Sequence, residues 1–356
     1  MNTLRASLRT HRALLLIVLL YAAAAALLAG GLPSASDTLN VLAGFLVAIL
    51  TGPVFILCGY TIHVMVVKRP HRLCHYLYHD LRSYLSNERL LHALPAMLLI
   101  PVFASSFTVF KAAIPRLHPY TWDASLSAWD IALHGGKAPW ERLQPLLGHP
   151  LVTGLLNFSY HFWFFLFYAI LYWLILDTRR PLLRMQFLLS FALTWIALGS
   201  ILAVLFASVG PCYYGHLHAS DPYAPLMAYL HDANQHVPVW ALQVQDMLWQ
   251  GYQSKGTNGE LGISAMPSMH VATAVLMAIM GWKVSRAAGL ALSAFAVLIL
   301  LGSIHLGWHY ALDGYVGAAG AALVWQLVGR LLGSQAPAPN IHMATAPCMS
   351  KGGLTS

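Results

Sequence analysis

Long runs of apolar residues, separated by short polar segments, extend along most of the chain. Eight of these runs approach the ~20 residues that an α-helix needs to cross the hydrocarbon core of a bilayer. They predict an all-α fold, a polytopic membrane helical bundle with about eight transmembrane helices. The expected spans are 13–32, 41–66, 90–110, 151–176, 184–207, 266–284, 287–306 and 309–332.

Composition supports a membrane protein and argues against a soluble globule. Of the 356 residues, 58% are hydrophobic and only 9% are charged, and the mean hydropathy is +0.63. The net charge of +8 could indicate a nucleic-acid partner. However, the chain has no zinc finger, basic repeat or glycine-rich phosphate loop. We therefore expect no nucleic-acid partner.

The positions of the basic residues predict the orientation of the spans. About three quarters of the 20 Lys and Arg residues fall in segments that share a side with the N-terminus. Because cytoplasmic loops carry an excess of Lys and Arg, both termini are expected in the cytoplasm. The bacterial inner membrane is the expected location, because no organelle retention signal is found at the C-terminus.

Two polar groups of residues begin predicted helices and could carry chemistry. Pro267 and Ser268 lead into His270, and His309 is followed four residues later by Asp313. One predicted span separates the two groups, so both histidines begin parallel helices on the outer side. Positions four apart share a helix face, so Asp313 could orient the ring of His309. Taken singly, each group could equally be structural.

Together these residues predict a site for a phosphate ester. A helix N-terminus attracts phosphate through its free N–H groups, and Ser268 adds a hydroxyl there. His309 is the candidate nucleophile, Asp313 its partner, and His270 the acid that protonates the leaving oxygen.

Three further polar residues are candidates for binding the substrate. Tyr160 and His161 lie within a predicted span, where polar groups usually face the bundle interior, although an interhelical hydrogen bond would explain them equally well. Tyr310 follows His309 directly and is assigned to the same pocket. Histidines cluster between residues 208 and 265, but their spacing matches no standard ligand pattern, so we expect neither a metal nor a cofactor.

The motifs resemble those of a known family. Pro-Ser-x-His followed by His-Tyr-x-x-Asp is similar to the second and third motifs of the type 2 phosphatidic acid phosphatase superfamily. That resemblance implies a phosphatidic-acid-phosphatase-like core and a metal-independent enzyme with a phosphohistidine on His309. Two basic residues of the family pattern are missing, since Ser303 stands where an arginine is common and Gly210-Pro211 stands in the first motif.

In lacking these two basic residues, the chain resembles the branch that contains inositol phosphorylceramide synthases. The segments Trp129–Gly136 and Leu155–Phe162 also resemble that branch. It implies a lipid phosphate or phospholipid substrate and transfer of a phospho head group to a lipid or sugar hydroxyl. A phosphatase for lipid phosphate monoesters, such as phosphatidic acid or isoprenyl phosphate, is the alternative. A proton- or ion-coupled transporter is the alternative of another class.

The predicted organisation has three parts. Residues 1–110 hold the N-terminal membrane spans, and residues 111–332 form the catalytic membrane domain. Within that domain, segments 111–150 and 208–265 are long and lie on the outer face, where the second is expected to cover the site. Residues 333–356 are expected to form a disordered cytoplasmic tail.

Overall fold

A computed structural model describes residues 2–30, 53–54, 56–254 and 262–334, and no strand occurs among them. The longer elements are α-helices, two of which include π-helical segments at Val64–Lys68 and Ala197–Leu202, and a 3₁₀ turn occurs at Pro211–Tyr213. The helices are α1 (Asn2–Thr10), α2 (Arg12–Leu28), α3 (Ile56–Lys68), α4 (Leu73–Tyr84), α5 (Asn87–Leu117), α6 (Asp123–Leu133), α7 (Pro139–Leu147), α8 (Pro150–Leu176), α9 (Pro181–Leu205), α10 (Tyr214–Leu217), α11 (Ala224–Ala233), α12 (Trp240–Gln253), α13 (Met269–Val284), α14 (Arg286–His305) and α15 (Ala311–Ser334).

Five of the described helices are long and apolar enough to cross a membrane: α5, α8, α9, α14 and α15. A sixth span results if α1 and α2, which meet at a bend of 67°, are taken together. These helices indicate a membrane protein. The predicted number of eight is not confirmed, because half of the span at 41–66 lies outside the described residues and α13 has only 16 residues. Helix α13 is shorter than predicted because residues 262–268 are not helical.

Helix α5 is longer than the sequence predicted. It continues to Leu117 although three prolines lie within it. Transmembrane helices tolerate proline because neighbouring helices and local adjustments satisfy the freed backbone groups. The boundary predicted between residues 110 and 111 therefore falls inside a helix, and Lys111 lies on α5 rather than in a loop.

The centre of the bundle is an antiparallel pair of helices, α13 and α14. Ser285 alone connects them, and its Oγ accepts a hydrogen bond from the N–H of Ala288 at 3.1 Å, which caps α14. Helix α15 packs against α13 and α9, and α8 packs against α14. Because α13 and α15 run in the same direction, their N-termini lie at the same end of the bundle, as the sequence predicted.

A glycine lets α15 approach the beginning of α13 closely. A Cβ atom placed on Gly317 would lie only 2.6 Å from the carbonyl oxygen of Ser268. Any larger residue would force the two helices apart at this point. The backbone contact therefore sets the spacing between the two histidine-bearing helix starts.

The N-terminal helices pack on the outside of this bundle. Helices α1 and α2 contact α5, and α2 also contacts α9. The hydroxyl of Tyr21 lies 2.6 Å from the Oγ of Ser200, which links α2 to α9 through a buried hydrogen bond. Helix α5 in turn contacts α8 and α9. It therefore connects the N-terminal helices to the part of the bundle that carries the predicted site.

Candidate active site

His309 lies just before α15, and both of its neighbouring acceptors contact one ring nitrogen. Its Nδ1 is 2.8 Å from the carbonyl oxygen of Ala265 and 3.4 Å from Oδ2 of Asp313. A carbonyl oxygen can only accept a hydrogen bond, so the Nδ1 position carries the proton. In the neutral ring the lone pair of Nε2 is then free. That is the tautomer a histidine nucleophile requires.

Asp313, the predicted partner of His309, contacts the ring, but a main-chain carbonyl contacts the same ring nitrogen. Asp313 is fully buried, and its Oδ2 also accepts the N–H of Tyr310 at 3.1 Å. The carbonyl oxygen of Asp313 accepts the N–H of Ser268 at 3.0 Å. Asp313 thus connects the two predicted motifs directly. The carbonyl of Ala265 is the closer acceptor for the ring, and the sequence did not predict it.

His270 is the second residue of α13 and lies among aromatic rings. Ser268 caps this helix, because its Oγ accepts the N–H of Val271 at 3.5 Å. The ring of Tyr160 stacks on that of His270 with centroids 4.4 Å apart, and Trp163 lies at the same distance. The Nε2 of His270 is buried and has no hydrogen-bond partner among the described residues. The ring is therefore held by packing, and one of its nitrogens has no hydrogen-bond partner in the described part of the chain.

The surroundings of the two histidines adjoin each other. The ring of Tyr160 stacks on His270 and also lies parallel to Trp308, the residue before His309, with centroids 6.2 Å apart. The structure therefore brings together both predicted catalytic histidines, Asp313 and Tyr160. Their catalytic roles stay predictions.

The other residues predicted to bind substrate have different contacts. The Nδ1 of His161 lies 2.8 Å from the carbonyl oxygen of Asn157, and its ring packs edge-on against Trp240. The hydroxyl of Tyr310 donates to Oδ1 of Asp123 at 2.8 Å. Tyr310 is thus held by a buried carboxylate.

Asp130 is a residue of the site region whose role the sequence did not reveal. Its two carboxylate oxygens accept the N–H groups of Ala311 and Leu312, each at 3.0 Å. It therefore caps α15 from α6, some 180 residues away in the chain. The sequence feature that points to Asp130 is its place in the segment Trp129–Gly136, which resembles the inositol phosphorylceramide synthase branch but indicates no role for this residue.

Asp123 is a second buried carboxylate that the sequence did not single out. It accepts the N–H groups of Val209 and Gly210 at 2.9 Å and the hydroxyl of Tyr310. Burial raises the pKa of Asp123 above its usual range, and these hydrogen bonds oppose the rise. Gly210 has φ +90°, and a Cβ there would lie 2.6 Å from the carbonyl oxygen of Trp308. The residues at the position of the missing first motif therefore contact both Asp123 and Trp308.

A metal site is not evident in the described part of the chain. No group of three or more His, Cys, Asp or Glu residues there could hold a metal ion. The predicted independence from metals and cofactors stays a prediction.

Two histidines thus lie at neighbouring helix starts within a bundle of apolar helices, and Nδ1 of one of them contacts a main-chain carbonyl. A family model described as the PAP2 superfamily matches residues 124–327. Since the match covers more than half of the chain, the protein belongs to the PAP2 superfamily. No curated protein and no solved structure matches the chain. The superfamily is generally enzymatic and comprises lipid phosphatases and phosphotransferases. The inositol phosphorylceramide synthase branch is not confirmed.

Proposed function

We propose that the protein is a membrane phosphotransferase that moves a phospho head group between lipids through a phosphohistidine on His309. The observation that supports this most strongly is the 2.8 Å contact between Nδ1 of His309 and the carbonyl oxygen of Ala265. It selects the tautomer in which Nε2 of the neutral ring carries the lone pair, without requiring a charged partner. Asp313 then stabilises the positive charge that develops on the ring during attack.

In the first step, Nε2 of His309 attacks phosphorus and forms the P–N bond. The P–O bond to the leaving alcohol breaks, and His270 gives that oxygen its proton. The available Nε2 of His270 supports this assignment, since it has no described protein partner. The products of the step are the phosphohistidine, the free alcohol and a neutral His270.

In the second step, the hydroxyl of the acceptor attacks the same phosphorus. His270 takes the proton of this hydroxyl, the P–N bond breaks, and both histidines return to their starting states. Water would give hydrolysis by the same route, so transfer requires that water be excluded.

Helix α12 and the turn at residues 210–213 support such exclusion. Nε2 of Gln245 donates to the carbonyl oxygen of Leu306 at 2.9 Å, and the N–H of Cys212 donates to that of Gly307 at 2.8 Å. These contacts hold α12 and the turn at residues 210–213 against the chain that leads into His309. They support the proposal that α12 and this turn help to keep water from the site.

The absence of the family's basic residues favours a phosphodiester substrate. At the place of the third-motif arginine, the carbonyl oxygen of Ser303 accepts the N–H groups of Trp308 and His309. Ser303 therefore supports the main chain and brings no charge. A diester carries one negative charge fewer than a monoester dianion and needs less compensation.

The experiment compares two substrates with the purified protein in detergent. We expect transfer from a phosphodiester lipid to an added alcohol acceptor, with little release of inorganic phosphate from phosphatidic acid. Rapid release of phosphate from the monoester without any acceptor would instead identify a lipid phosphate phosphatase. Failure on all phosphate esters, with transport in vesicles, would favour a transporter.

We also propose that the site faces the periplasm of a bacterial inner membrane. The asymmetry of Lys and Arg supports this orientation. The test places single cysteines in a variant without its four natural cysteines. A membrane-impermeant thiol reagent should label Ala128→Cys but not Thr178→Cys in intact cells. The reverse pattern would contradict this orientation.

A further inference from the structure

Lys111 comes near the candidate site because α5 extends beyond its predicted end. Phe107 lies one helical turn before Lys111, on the same face of α5. A Cβ placed on Gly199 of α9 would lie 2.7 Å from the Phe107 ring and 3.1 Å from Sδ of Met269. Met269 directly precedes His270. The face of α5 that carries Lys111 is therefore directed towards the beginning of α13.

The main chain at Lys111 is also tied to the loop that leads into α13. A Cβ placed on Gly262 would collide with the carbonyl oxygen of Lys111 and would lie 2.8 Å from the backbone N of Ala112. Gly262 begins the non-helical segment 262–268, which supplies the carbonyl of Ala265. The end of α5 thus packs against the same segment that holds His309.

Lys111 lies close enough to the beginning of α13 for its charge to influence the ring of His270. Its side chain is partly buried. No hydrogen bond or ion pair of its ammonium is found with any other described residue. A cation near an apolar interior is costly unless a negative charge compensates it. An anion held beside His270 would supply that compensation.

We propose that Lys111 binds a non-bridging oxygen of the substrate phosphate and replaces the basic residues missing from the family motifs. The inference rests on the proposed function. Lys111 lies outside the matched region 124–327. A single cation balances a phosphodiester, which carries one negative charge, better than a monoester dianion. Lys111 therefore also favours the diester as the substrate class.

The test replaces Lys111 by methionine, which keeps the length of the side chain and removes its charge. We expect kcat/KM for the phosphodiester to fall about 10- to 100-fold, as expected for loss of a hydrogen bond between charged groups. The control Lys137→Met removes an exposed lysine from the loop between α6 and α7. It should leave kcat/KM within about twofold of the wild type.

A second readout does not depend on turnover. Orthovanadate, an analogue of phosphate, should raise the thermal unfolding midpoint of the wild type and of Lys137→Met. It should raise that of Lys111→Met much less. Without vanadate, Lys111→Met should unfold at the same temperature as the wild type or higher, because it lacks a poorly compensated charge. If this variant does not fold, Lys111→Gln is measured in its place.

The two readouts separate this inference from the proposed function. Unchanged kcat/KM together with an unchanged vanadate shift in Lys111→Met would overturn the role of Lys111. A vanadate shift that depends on Lys111, in a wild type that turns over no phosphate ester, would retain the anion site and overturn the phosphotransferase.

Discussion

The helix starts that carry the two histidines are built in different ways. Helix α13, which carries His270, is capped by its own Ser268. Helix α15, which follows His309, is capped by Asp130 from α6. The serine cap of the first start comes from the adjacent residue, whereas the Asp130 cap of the second comes from a residue distant in the chain. Accurate placement of the proposed nucleophile therefore requires the assembled fold.

The surroundings of the two rings differ in the same sense. The Nδ1 of His309 has two acceptors, while Nε2 of His270 has no described partner and its ring is held by Tyr160 and Trp163. A nucleophile needs one fixed tautomer, whereas an acid must gain and lose a proton in each turnover. Hydrogen bonding suits the first role and aromatic packing suits the second.

The largest expected effect is that of removing the proposed nucleophile. His309→Ala should reduce turnover by about 10⁴-fold or more, because no other described group takes over the attack on phosphorus. Radiolabelled substrate should also leave no acid-labile phosphate on the protein. The control is His236→Ala, which changes an exposed histidine between α11 and α12. Normal turnover in His309→Ala would exclude the phosphohistidine.

The next effect concerns the proposed acid. His270→Gln should slow the reaction about 10²- to 10⁴-fold for a substrate with an alkyl leaving group, which needs a proton. A 4-nitrophenyl ester leaves without one and should be slowed far less. The measurement is the ratio of the two rates in the wild type and the variant. Equal slowing of both substrates would argue against protonation by His270.

The smallest expected effect tests whether Asp130 only stabilises α15 or also positions His309. Asp130→Ala should lower the free energy of unfolding by about 1–2 kcal/mol through loss of the helix cap, and should also reduce turnover by moving His309. Ser285→Ala removes the cap of α14 at the opposite end of the bundle. It is expected to cost similar stability without loss of turnover. Equal turnover in the two variants would mean that Asp130 only stabilises the fold.

The sequence predicted the helical class, the approximate positions of several spans and the approach of His270, His309 and Asp313. Each follows from a local pattern: apolar runs of membrane length, helix starts and a spacing of four residues. The carbonyl of Ala265 could not be predicted, because the conformation of residues 262–268 has no periodic signal. The cap by Asp130 depends on a tertiary contact and has no local signal. The position of Lys111 depends on the continuation of α5 past residue 110 despite the prolines within it.

The hydrogen bond from His309 to Ala265 has a consequence for how the protein tolerates mutation. The acceptor is a main-chain carbonyl, so substitution of the Ala265 side chain leaves it in place. Variants of Asp313 therefore keep the tautomer while they lose the charge. In ¹⁵N NMR spectra of Asp313→Asn, the Nδ1 of His309 should still carry the proton. Substitution of Asp313 would then reduce the turnover rate only in part. A change in the backbone conformation of residues 262–268 would instead abolish turnover in one step.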